Sequence, residues 1–123
     1  MTEQTFKSFD GKEIFYREWE CENPIGVLQI VHGMAESSDR YDGFAREMNK
    51  RGIVVFCDDH RGHGITDDRS GYSEGDMFFD TLRDVAFLTD LAKKKYDGFP
   101  YAVFGHSYGS FLTQSYLENY GDK

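Results

Sequence analysis

The chain has 123 residues, 39% of them hydrophobic and 16% aromatic, which is a globular composition with enough material for one domain and a modest core. Asp and Glu number 22 against 14 Lys and Arg, a net charge of −8, which excludes nucleic acid as a partner and docking on anionic lipid by charge alone. The N-terminal "MTEQTFKSFDGKE" has no apolar signal core, and no apolar run approaches bilayer-spanning length, so no integral membrane segment is expected.

Taken in chain order, "TFKSF" and "EIFYREW" flank Asp10-Gly11-Lys12 and read as a β-hairpin. "IGVLQIV", Ile25 to Val31, is nearly all apolar, as a strand covered on both faces must be. "HGMAESS" follows as a loop. Tyr41, Phe44, Ala45 and Met48 recur on one helix face, and Gly52 is expected to cap that helix. "IVVFC" reads as a second buried strand, ending in Cys57. That cysteine is expected to be a buried thiol rather than a disulfide partner of Cys21, and the pair points to the cytoplasm. "DDHRGHGITDDRSGYSEGD" reads as a long polar loop. Leu82, Val85, Ala86, Thr89 and Ala92 trace a second helix face, with Asp76 as a candidate N-cap. "DGFP" is a turn, "YAVF" a third buried strand, and Ser107 onward a third helix. Hairpin, then β-α-β-α-β-α, implies an α/β fold with a mostly parallel sheet and flanking helices in a single unit, residues 1–123.

The chemistry-bearing stretch is "YAVFGHSYGSFL". Gly105-x-Ser107-x-Gly109 lies between a strand and a helix, where a nucleophile elbow requires it. The turn is tight enough that side chains two residues either side of the serine would collide, so both places need glycine. A serine N-cap flanked by turn glycines is the simpler alternative. Acyl transfer also needs two amides to hold a developing oxyanion. One would be the N–H of Tyr108. The other would come from "VHGMAES", where Gly33 lets the backbone turn and leaves the N–H of Met34 free to donate.

With "HGMAESSDRY" (32–41), "DHRGHG" (59–64) and "GHSYGS" (105–110) in this order, the chain resembles the α/β-hydrolase superfamily. Within it, the chain is similar to the monoacylglycerol lipase and lysophospholipase group, also called serine aminopeptidase-like. Ser37 stands where that group often carries His, and Tyr108 where Met is frequent; neither change removes a backbone donor. The resemblance implies that Ile25–Val31 lies between Ile53–Cys57 and Tyr101–Phe104, with "HGMA" and "GHSYG" opening a crevice at their carboxyl ends. It implies a carboxylic-ester serine hydrolase on monoacylglycerols or lysophospholipids, working through an acyl-enzyme on Ser107 and needing no cofactor.

The base and acid of such an enzyme follow the serine in the order Asp or Glu, then His. Only Glu118 and Asp122 follow Ser107, and no histidine does. His106 adjoins the serine, and on a sharp elbow its side chain is expected to point away. His32, His60 and His63 lie in the loops, and Asp58, Asp59, His60 and His63 are crowded, but no distant pair completes a zinc set, so a solvated or hydrogen-bonded role is expected and no metal. The reading is therefore the N-terminal part of an α/β-hydrolase fold, cut after the nucleophile helix, with the triad Asp and His outside it and little activity of its own. A non-catalytic scaffold or binding module is the competing class, and thioesterase, amidase or peptidase chemistry a third on the same machinery. The expected partner is a small lipid-like ester. The uncovered edge of the strand at 101–104 leaves self-association, or pairing with the missing half, open.

Overall fold

The computed structural model describes residues 1–33, 37–61, 63–67, 77–105, 109 and 112–114. Its core is one five-stranded sheet built from β1 (Thr2–Lys7), β2 (Glu13–Trp19), β3 (Gly26–Val31), β4 (Ile53–Asp58) and β5 (Tyr101–Gly105), in the order β1-β2-β4-β3-β5. β1, β2 and β4 pair antiparallel, and β4, β3 and β5 pair parallel. The hairpin is thus the antiparallel margin of a parallel sheet, and β3 lies between β4 and β5 as the resemblance implies. β1 begins earlier than "TFKSF" suggested and stops at Lys7. Ser8 then turns inward, and Gly11 takes the positive φ of +85° that the connecting loop needs.

Strand periodicity sorts the apolar side chains onto two faces. One face carries Phe6, Ile14, Tyr16, Val27, Val31, Val54 and Phe56, covered by Leu82, Val85, Leu88 and Ala92 of α3 (Met77–Lys95). All five residues expected on the inner face of α3 are buried. Thr89 is tolerated there because its hydroxyl meets buried Gln29 of β3, which also binds the Tyr101 hydroxyl. The other face carries Trp19, Ile30, Val55 and Cys57 against Ala45 of α1 (Asp42–Asn49).

Several expectations are corrected. "YAVF" is not buried on both faces: Ala102 is exposed and Phe104 is 40% exposed. Among the described residues β5 is the last strand of the sheet, and on the α1 side the ring of Phe44 stands 6.3 Å from that of Phe104 between centroids. Phe44, placed on the buried face of α1, is itself 47% exposed for the same reason. The segment after β4 is not an open polar loop: Asp58 ends the strand, Asp59, His60, Arg61 and His63 are buried, and α2 (Gly64–Asp67) follows. "HGMAESS" likewise runs into a 3-10 turn at Ser38–Tyr41. α1 ends at Asn49 with Lys50 as its cap, and Gly52, at φ +81°, makes the left-handed turn into β4.

Candidate active site

β3 and β5 are neighbours, and Val31 pairs with Gly105, so the chain leaves both strands at the same level of the sheet. His32 and Gly33 follow β3 and are buried; Gly109, Leu112, Thr113 and Gln114 are helical beyond β5. Neither elbow glycine has room for a side chain. A Cβ on Gly109 would fall on the Val31 carbonyl oxygen and lie 2.7 Å from that of His32. A Cβ on Gly105 would strike the Thr113 hydroxyl and the Gly109 carbonyl, with Gly109 C at 2.8 Å. Thr113 Oγ1 meanwhile donates to the Gly109 carbonyl at 2.8 Å. Gly33, Gly105 and Gly109 are therefore gathered where the turns after two adjacent strands press together. Ser107, Met34 and Tyr108 lie outside the described residues, as do His106, Glu118, Asp122 and Asp76.

Beneath these turns sits a buried cluster that the sequence reading did not assemble. The rings of His32 and His60 stack with centroids 3.6 Å apart, and His63 stands 5.3 Å from His32. His32 Nε2 accepts from the His60 amide at 2.9 Å, and His32 Nδ1 meets the Gly33 carbonyl at 2.7 Å. His60 Nε2 meets the His32 carbonyl at 3.1 Å, and His60 Nδ1 meets Asp58 Oδ2 at 3.0 Å. Burial, then the neighbouring His60, hold His32 down to about 3, so its ring is neutral. Burial pushes the Asp58 carboxyl up to about 7, against the pull of His32, and Asp59 adds to the rise. Asp58 Oδ1, His63 Nε2 and Thr81 Oγ1 are buried with no hydrogen-bond partner among the described residues.

The same segment is pinned on its other side. Asp59 accepts the Ser38 amide at 2.6 Å and the Ile65 amide at 2.9 Å, tying the turn after β3 to α2. Gly64, at φ +51°, has no space for a Cβ beside that carboxylate. Arg61, 1% exposed, binds Asp84 of α3 at 2.6 Å, Ser8 at 2.8 Å and Asp10 at 2.7 Å. The Arg61 hydrogen bonds hold the Asp10 carboxyl down to about 2. Among the described residues, no group of three or more His, Cys, Asp or Glu is arranged to hold a metal ion. The signal in the sequence was the run "DDHRGHG" directly after a buried strand: five groups that can be charged, crowded where no strand face is left to carry them outward.

Residues 22–123 match the family model described as serine aminopeptidase, S33. The monoglyceride lipase of Homo sapiens is 35% identical over 106 residues, covering 85% of this chain and 34% of that protein. The monoacylglycerol lipase of Mycolicibacterium smegmatis is 31% identical over 122 residues, 97% of this chain and 42% of that one. A thermostable carboxyl esterase from Bacillus coagulans, solved with glycerol, superposes with a TM-score of 0.87 at 34% identity, covering 98% of this chain and 40% of that one. A soluble variant of the Saccharomyces cerevisiae monoglyceride lipase, solved with a substrate analog, gives 0.75 at 26% identity, covering 94% and 38%. The chain therefore spans between 34% and 42% of the length of these two curated relatives. With the family model covering all but the hairpin margin, and the sheet matching the N-terminal part of such folds, the chain belongs to the serine aminopeptidase S33 family of α/β-hydrolases.

Proposed function

We propose that the chain is the nucleophile-bearing portion of a serine hydrolase of carboxylic esters, of the monoacylglycerol or lysophospholipid type. Ser107 attacks the ester carbonyl, the amides of Met34 and Tyr108 hold the oxyanion, and an acyl-enzyme forms and is hydrolysed. A histidine base and the acid that orients it are assigned to residues outside 1–123, since no histidine follows Ser107 or the acids Glu118 and Asp122 in the order this fold uses. The observation that carries the reading is the pair of glycines: Gly105 and Gly109 admit no side chain, and Gly109 is pressed against the Val31–His32 backbone. Ser107 is the residue between them in the chain, and the turn after β3, against which Gly109 packs, is where a second donor is needed. The ester, rather than amide, preference is carried over from the lipase and esterase names of the relatives. The two cysteines, both free, fit a reducing compartment such as the cytoplasm.

Hydrolysis of p-nitrophenyl butyrate by residues 1–123, with Ser107→Ala as the control, tests the reading. The expected rate is residual, on the order of 10³ to 10⁴ over water from oxyanion stabilisation and binding alone, and Ser107→Ala leaves it nearly unchanged because the base is already missing. Turnover like that of an ordinary esterase would place a base inside the chain. The absence of any rate above the uncatalysed reaction would remove the oxyanion hole.

A further inference from the structure

The protons of the buried histidine pair can be counted. His32 Nε2 accepts the His60 amide, so the single proton of this neutral ring sits on Nδ1 and is donated to the Gly33 carbonyl. His60 Nε2 faces the His32 carbonyl, which can only accept, so Nε2 carries a proton. His60 Nδ1 faces Asp58 Oδ2, and one proton lies between those two atoms, whichever holds it. Imidazolium with carboxylate, and imidazole with carboxylic acid, are two forms of one proton count. Without that proton, His60 has one N–H for two acceptors. The buried carboxylate is charged and takes it, because a charge-assisted hydrogen bond is about twice as strong as a neutral one. The His32 carbonyl then faces a bare nitrogen.

That carbonyl belongs to the turn on which the proposed mechanism depends. It lies against Gly109, and the next carbonyl, that of Gly33, is held by the His32 ring. In a trans peptide the C=O and N–H point in opposite directions, so a Gly33 carbonyl held toward the buried rings sets the direction of the amide that follows it. We propose that His60 is a positioning residue: its Nε2–H holds the His32 carbonyl while one proton is shared with Asp58, and the hold is released as pH rises. This rests on the ester-hydrolase reading for its consequence, but not for its chemistry.

The groups facing His60 favour this behaviour. Its own segment brings Asp58, Asp59, Arg61 and His63, and β3 brings His32. From α3 comes Asp84, whose charge is matched by Arg61, and Arg61 is further engaged by Asp10 from the hairpin. β2 contributes the uncharged Phe15 carbonyl to Asp59, and its Arg17 is occupied by Ser38 and Glu3. The cation nearest in sequence is thus committed elsewhere, and the shared proton is the one that neutralises Asp58. With the Asp58 carboxyl at about 7, release falls near neutrality.

Imidazole and amide NMR of the 123-residue chain, titrated from about pH 5 to about pH 9, is the test. His32 should stay an Nδ1–H tautomer throughout. The His60 Nε2–H signal should be present at the acid end and lost near neutrality, with the Gly33–Met34 amide shifting at the same midpoint. In His60→Gln the side-chain amide supplies an untitratable donor at the position of Nε2, so the reporter amide should keep its acid-end shift at every pH. In His60→Asn the donor reaches Asp58 instead, and the reporter should keep its alkaline-end shift. A reporter that does not titrate in the parent, or titrates equally in His60→Gln, overturns the proposal; if His60→Asn does not fold, those two comparisons still decide. The ratio of residual p-nitrophenyl butyrate hydrolysis in His60→Gln to that in the parent should rise about tenfold across the transition, less than the 10² to 10³ that outright loss of an oxyanion donor costs. An NMR transition with no ester hydrolysis above the uncatalysed rate removes the oxyanion-hole reading and leaves the proton lock standing. Hydrolysis above the uncatalysed rate with no transition does the reverse.

Discussion

Two short segments reverse what their compositions suggest. Asp58 to His63 is rich in charge and nearly sealed from solvent, whereas Tyr101–Gly105 is apolar and half open to it. The difference is one of position and pairing. The polar segment leaves a central strand and finds partners on β3, α2, α3 and the hairpin. The apolar one ends the sheet among the described residues, packing Tyr101 and Val103 on the α3 side and leaving Ala102 and Phe104 largely open on the other. Burial in this chain follows the place of an element in the sheet, and hydrogen bonding decides what may be buried there. Each variant below breaks or sharpens that contrast.

The largest effect is expected where the two segments meet. Gly109→Val puts a branched side chain onto the Val31 and His32 carbonyls, which belong to β3 and the turn after it and cannot withdraw without opening the sheet. A loss of at least several kcal/mol, or failure to fold, should follow in thermal melts. A variant melting like the parent would mean that the turn after β5 does not pack on β3 in solution.

Arg61→Ala comes next. It leaves Asp84, fully buried, without its cation, and strips Ser8 and Asp10 of a donor. Breaking a buried pair from one side costs about 3–5 kcal/mol, whereas replacing both partners by apolar residues is often neutral. Urea unfolding should therefore show a large loss for Arg61→Ala and recovery in Arg61→Met with Asp84→Leu. Equal losses in the single and double variants would show that packing of the guanidinium stem, including its contact with Phe9, matters more than charge.

How far the sequence revealed this follows from the range of the interactions. The hairpin, the strands and the inner stripe of α3 are local patterns with a period of 2 or 3.6, and they were legible. The need for glycine at 105 and 109 was legible for the same reason: it follows from a local spacing. His60 with His32, Arg61 with Asp10, and Arg61 with Asp84 join residues 28, 51 and 23 positions apart, and no periodicity announces them. A polar run therefore reads as a long loop with solvated or hydrogen-bonded histidines, and its burial is not legible. Phe44 and Phe104 failed in the opposite direction, because an apolar residue signals a wish for burial and not the presence of a cover.

The buried cluster also sets opposing pH dependences. The fold raises Asp58 from 3.8 to about 7, so its contribution is full below the unfolded value and is lost as pH rises toward 7. The fold lowers His32 from 6.5 to about 3, so its contribution is present above 6.5 and is lost as pH falls toward 3. Between about pH 4 and 6.5 the unfolded chain protonates His60 but not Asp58, and the folded pair holds the same single proton, so the pair adds no slope and that of His32, about 1.4 kcal/mol per pH unit, stands alone. Asp58→Asn removes the shared proton from the fold. Its stability should then climb with pH more steeply than that of the parent, by about 1.4 kcal/mol per unit, in urea midpoints taken across that range. Parallel curves would place the Asp58 proton elsewhere.

The smallest effect on stability, and the sharpest test of the open segment, is Phe104→Lys. Phe104 is already 40% exposed and lines an apolar groove of about 190 Å³ with Ile30, Tyr41 and Phe44. A lysine can lay its stem along that groove and put its charge in water, so the cost should stay near 1 kcal/mol. Association is where the substitution should register. β5 pairs with β3 on one side, and no strand is paired to its far side among the described residues. A short apolar edge without a charge is a template for another strand, and the net charge of −8 does not lie on it. Sedimentation velocity on residues 1–123 should show concentration-dependent association, and Phe104→Lys should weaken it about tenfold or more by placing like charges together where two such edges meet. Hydrogen exchange along Tyr101–Gly105 should slow as the parent associates and stay fast in the variant. A parent that remains a compact monomer with slow exchange along this strand would show that the edge is covered from within the chain, and the contrast between the sealed polar segment and the open apolar one would then hold for side chains alone, not for the backbone of β5.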